Sequence, residues 1–109
     1  MKNCYNVGLV IESSEPTIIP AILDTINRKL STTCENNVRG SSWSLHACST
    51  TLISVSALIP EIKTLSQASL TIVVAIHSND PRLLASIVGL LKTMLDEDFP
   101  GQAYIRLST

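Results

Sequence analysis

The chain has 109 residues, 45% of them apolar and 16% charged, with a formal net charge of −1. That length suits one domain with a full core, and a charged fraction below the usual figure of about 25% leaves apolar surface to be covered. The eight basic residues (Lys2, Arg28, Lys29, Arg39, Lys63, Arg82, Lys92, Arg106) are scattered, which excludes a basic stripe and with it nucleic acid as the expected partner.

Tyr5, Val7, Leu9 and Ile11 alternate with Asn6, Gly8, Val10 and Glu12, the period of a half-buried strand. Ser-Ser-Glu-Pro at 13–16 then supplies a cap, an acid and an early proline, the start signals of a helix. Ile18, Ile22, Ile26 and Leu30 follow at four-residue intervals, and Ile19 and Leu23 widen the apolar stripe. Pro20 fits only if the first turn reaches that far, because an interior proline loses a backbone hydrogen bond. Residues 31–42 are polar and carry Asn-Asn and Gly, so they read as the longest loop.

In the next strand Trp43, Leu45 and Ala47 fall on one side and Ser44, His46 and Cys48 on the other. The greasier set, led by Trp43, is assigned to the interior. Val55, Leu58, Ile59, Ile62 and Leu65 have helical spacing, and with Pro60 as a constraint they predict a helix over 56–68. The β-branched run at 70–78 predicts a central strand covered on both faces. Asp80 and Pro81 open a third helix, whose buried face carries Leu83, Leu84, Ile87, Val88, Leu91, Met94 and Leu95. Phe-Pro-Gly at 99–101 stops it, and Ala103, Ile105 and Leu107 alternate in a last strand. The order β-α-β-α-β-α-β predicts an α+β fold, a two-layer α/β sandwich of ferredoxin-like type with an extra helix.

On this reading the sheet face away from the helices shows Asn6, Glu12, His46, Cys48, His77, Tyr104 and Arg106, and these are the candidate binding residues. A Cys48–His46 pair could act as nucleophile and base, since residues two apart on a strand lie about 7 Å from each other. No catalytic turn, oxyanion-hole glycine cluster or orienting third residue accompanies them. His46, Cys48 and His77 would need a fourth ligand to make a closed zinc site, so no metal and no cofactor are expected. Asp96, Glu97 and Asp98 crowd a helix end where the dipole disfavours negative charge. They read as solvated turn residues. The motifs G-x-G-x-x-G, G-K-[ST], G-x-S-x-G and H-E-x-x-H are all absent, which argues against the common nucleotide-dependent and hydrolytic enzymes.

Cys4, Cys34 and Cys48 are an odd number and too few for a disulfide framework. Glu12 interrupts the N-terminal segment early, and no apolar run approaches the roughly 20 residues that cross a bilayer. The expectation is a reduced, cytoplasmic, soluble protein with no membrane partner.

Residues 5–30, YNVGLVIESSEPTIIPAILDTINRKL, resemble the opening strand and helix of ACT-type regulatory domains, with Glu15-Pro16-Thr17 where that family has Pro-Gly. That resemblance implies a ferredoxin-like fold and small-molecule binding at a dimer interface. Residues 56–84 are similar to a helix-strand segment of radical-SAM ribosomal-RNA methyltransferases, but the C-x-x-x-C-x-x-C of that family is missing and no such activity is implied. Over nearly its whole length the chain resembles small uncharacterised bacterial α/β domains with a Trp-Ser-Leu strand, here Trp43-Ser44-Leu45. That resemblance implies an accessory or immunity-like interaction role. The expected function is a non-catalytic binding protein, dimeric, with a protein partner. Two alternatives stand beside it: an ACT-like sensing module and a cysteine- or metal-dependent enzyme centred on Cys48.

Overall fold

A computed structural model describes residues 4–58 and 71–108. Strand β1 spans Tyr5–Ser13 and α1 spans Ile19–Thr33; β2 (Asn36–Arg39), β3 (Trp43–Cys48), β4 (Thr51–Leu58) and β5 (Thr71–Ser78) follow. Helix α2 spans Pro81–Asp98 and β6 spans Ala103–Ser108. The strands form one antiparallel sheet in the order β2-β3-β4-β5-β1-β6. The β-α-β-α-β-α-β ferredoxin-like layout is therefore corrected to six strands and two α-helices among the described residues.

Two local readings caused the error. The polar stretch 31–42 is not one loop: α1 runs on to Thr33, and Asn36–Arg39 is an edge strand. No periodicity marks β2, because all four of its residues are exposed. The helix expected over 56–68 overlaps β4 at residues 56–58, and its remainder lies outside the described residues. Val55 has an inward strand register opposite Val74, and Leu58 lies in the same strand opposite Thr71, so the spacing between these two is not that of a helix.

The other elements fall where their chemistry puts them. A short 3-10 turn at Pro16–Ile18 precedes α1, so Pro20 sits in the first helical turn, where it forfeits no backbone bond. Asp80 caps α2 by accepting from the Arg82 amide at 3.0 Å, and Pro81 is the first helical residue. β3 and β4 join through Ser49-Thr50, a two-residue hairpin turn that holds Ser49 at a positive φ of 55°.

Helix residues Ile19, Ile22, Ile26, Leu30, Ile87, Leu91, Met94 and Leu95 pack onto Leu9, Ile11, Ile53, Val55, Ile72, Val74 and Ile76 of one sheet face. The antiparallel registers line these up in rows, such as Val7–Ile76–Ile53–His46 and Leu9–Val74–Val55–Ser44. In β3 the assignment of faces is thus inverted from the expectation. Ser44 and His46 point under the helices, while Trp43 and Leu45 point away at 44% and 38% exposure. Register decides this, since a strand flanked by β4 must follow the faces of Ile53 and Val55.

Candidate functional site

The uncovered sheet face is the larger candidate. Its rows read Val38–Leu45–Ser54–Ala75–Gly8, Asn36–Ala47–Leu52–His77–Asn6 and Trp43–Ser56–Val73–Val10–Arg106. Val38, Trp43, Leu45 and Leu52 are all exposed, so the β2–β4 half carries a contiguous apolar patch. The β1–β6 half is polar. There Arg106 Nε and Nη2 reach Glu12 Oε1 at 3.0 and 2.9 Å, so the two charges cancel. His77 Nδ1 bonds Asn6 Oδ1, and Tyr104 donates to the Gly101 carbonyl at 3.3 Å.

Of the predicted binding residues, Asn6, Glu12, His77, Tyr104 and Arg106 are on this face. His46 and Cys48 are not: both are buried on the helix side. The three-residue set His46, Cys48 and His77 is therefore split between the two faces of the sheet. Cys48 is joined to Cys34 in a disulfide, with Cα atoms 4.3 Å apart, which corrects the expectation of a reduced chain. The bond ties the C-terminal end of α1 to the end of β3, and in this state Cys48 has no free thiol to act as a nucleophile. Cys4 is free and exposed.

The indole of Trp43 lies across Gly40, whose amide donates to the Trp43 carbonyl at 2.8 Å. A β-carbon at Gly40 would overlap Nε1 and Cε2 of that ring. Gly40→Ala is expected to swing the indole off this seat at a cost of about 1 kcal/mol or less, because the ring is at the surface. Trp43 is the sole tryptophan, so its emission spectrum reads the change directly. Unchanged emission would place the ring elsewhere.

Beneath the helices, β3 contributes to a buried polar cluster that the sequence reading missed. Asn37 Nδ2 donates to the Cys34 carbonyl at 3.0 Å, which turns its Oδ1 toward His46 Nδ1 at 2.5 Å and makes Nδ1 the protonated nitrogen. His46 Nε2 lies 2.9 Å from Ser44 Oγ, which lies 2.6 Å from Asn27 Oδ1. Ser44 donates its one hydroxyl proton to Asn27 Oδ1 and turns an oxygen lone pair toward His46 Nε2. Ser44 is fully buried, and this Ser–His–Asn chain braces α1, β2 and β3 against one another. A signal for it existed: Asn27 follows Leu23 by four residues and precedes Leu30 by three, which sets a polar residue in an apolar stripe.

Burial, and after it the Arg39 charge, lowers the His46 pKa below its ordinary 6.5. As pH falls below 6.5 the unfolded chain takes up this proton before the folded chain does. Stability is therefore fully present above that value and declines below it, by at most about 1.4 kcal/mol per pH unit, until the folded pKa is passed. Melting temperatures between about pH 7.5 and pH 5 should fall for the native chain and change less for His46→Asn. Equal slopes for the two chains would contradict this.

A cleft of about 580 Å³ opens on the helix side, lined by Thr25, Asn27, Arg28, Lys29, Ser31, Thr32, Arg39 and Asp98. Asp24 holds Arg28 Nε at 3.2 Å and Arg39 Nη2 at 3.5 Å, which draws the two guanidinium groups together. Asp98 belongs to the acidic run 96–98, whose exposed residues form the last turn of α2.

No helix among the described residues is long and apolar enough to cross a membrane. No protein-family model matches the chain, and no curated protein matches it. Among solved structures it is similar to the de novo designed protein Foldit4, with 10% sequence identity and a TM-score of 0.57 over 98% of each chain. At that identity the likeness is one of fold alone.

Proposed function

We propose that this chain is a non-catalytic interaction protein that works as a homodimer joined through its open sheet face. The observation that carries the reading is the placement of Trp43, Leu45, Leu52 and Val38 on a sheet face with no helix over it among the described residues. Four large apolar side chains in neighbouring rows are costly to leave in water, at about 25 cal/mol per Å² of apolar surface. A second copy suits the patch on three counts. Six strands at about 4.8 Å spacing make a face roughly 29 Å wide, which is the scale of a standard interface of about 800 Å² per partner. With Glu12 and Arg106 paired, the described residues of this face carry no uncompensated charge to repel an identical face. Two sheets can also stack about 10 Å apart, with twist-matched strands and their outer side chains interdigitated.

Native mass spectrometry and light scattering at micromolar concentration test the proposal. A two-copy mass supports it, and a monomer at every concentration removes it. The cytoplasmic location expected from the cysteines belongs to this proposal only if Cys34 and Cys48 are thiols in the cell, because persistent disulfides mark oxidising compartments. Alkylation before lysis reads that state.

A further inference from the structure

We propose that the cleft between α1, β2 and the end of α2 is a binding site for a small molecule bearing a phosphate or carboxylate group. Three cationic side chains, Arg28, Lys29 and Arg39, converge on it from two elements, against the single lining carboxylate of Asp98. The two guanidinium groups are pre-positioned: each gives one nitrogen to Asp24, Arg28 also donates Nη2 to Thr25 Oγ1 at 3.4 Å, and the remaining N–H groups are left for a ligand. No salt bridge engages Lys29 among the described residues.

The floor of the cleft is built as well as charged. Asn27 is only 4% exposed yet lines the cavity. Its Oδ1 accepts from Ser44, and its amide nitrogen forms no hydrogen bond among the described residues, which leaves that donor for the cleft. Ser44, His46 and Asn37 brace Asn27 and strand β2 from below, and the Cys34–Cys48 bond fixes the chain between α1 and β2. An oxyanion arriving there meets donors that are already ordered, so little conformational entropy opposes binding. Ser31 and Thr32 add hydroxyls at the rim. The volume lies within the roughly 300–1,000 Å³ of small-molecule sites and exceeds what one inorganic ion fills. The oxyanion is therefore the head of a larger molecule.

Isothermal titration of the full chain with inorganic phosphate and, in a separate arm, with citrate tests the site. Saturable binding with a Kd of about 1 mM or tighter is expected in at least one arm, and the stronger arm tells phosphate from carboxylate. Lys29→Ala and Arg39→Ala should each weaken it about tenfold, the value of one charge-assisted contact. Both side chains are exposed, so circular dichroism should show an intact fold. Arg82→Ala, at the far end of α2 and outside the cleft lining, should leave the affinity unchanged. Absence of saturation in both arms, or equal weakening by Arg82→Ala, overturns the proposal.

Discussion

Replacing Leu45 and Leu52 together by glutamate is expected to convert the proposed dimer into a folded monomer and to weaken self-association roughly a thousandfold, or about 4 kcal/mol. The magnitude follows from two contributions. Each leucine forfeits part of the roughly 1.5–3 kcal/mol that full burial of such a side chain provides. Each new carboxylate must in addition shed water against an apolar partner surface. The monomer tolerates the change because both positions are about 40% exposed and lie opposite small residues, Leu45 beside Ser54 and Leu52 beside Ala47. Sedimentation or light scattering gives the association constant, and far-ultraviolet dichroism confirms the fold. An association constant equal to that of the native chain would show that the open face is not the interface, whatever the oligomeric state.

The second large effect concerns the bond between Cys34 and Cys48. Changing both to alanine should lower stability by about 3 kcal/mol, which is a fall of roughly 15 °C in Tm for a domain of this size. The two residues are 14 apart in sequence, so the bond removes the closure entropy of that loop from the unfolded chain. The loop it closes includes β2, an edge strand whose four residues are all exposed and which pairs with β3 alone. The double variant avoids leaving one thiol to pair with the exposed Cys4. Chemical denaturation of the variant, and of the native chain with and without a reductant, measures the effect. If neither the variant nor the reductant shifts the midpoint, the bond adds nothing to the stability of the fold.

The two consequences are linked at β3. Its inner residues, Ser44, His46 and Cys48, hold the brace and the disulfide, while its outer residues, Trp43 and Leu45, supply the apolar patch. A strand normally turns its greasy side inward. Here the inner side lies over the polar C-terminal half of α1 near Asn27, so polar residues are satisfied there. That leaves the apolar side of β3 facing outward, on the face where the proposed second copy would lie.

Local chemistry was enough to place several elements. The alternation at 5–12, the four-residue spacing from Ile18 to Leu30, the β-branched run at 70–78 and the Asp80-Pro81 start each name an element on their own. Each is long and periodic, and its signal is contained within its own residues. Five of the seven predicted binding residues also share one face because strand alternation carries that information. What the sequence could not decide was whatever depends on a neighbour. β2 exists through its pairing with β3, and β4 through its register with β3 and β5. The faces of Trp43 and His46 follow from that register, and the pairing of Cys34 with Cys48 follows from α1 ending beside β3. A strand period of two leaves the choice of inner face open by a shift of a single residue. Only the packed sheet, by setting His46 in the row of Ile53 and Ile76, makes that choice.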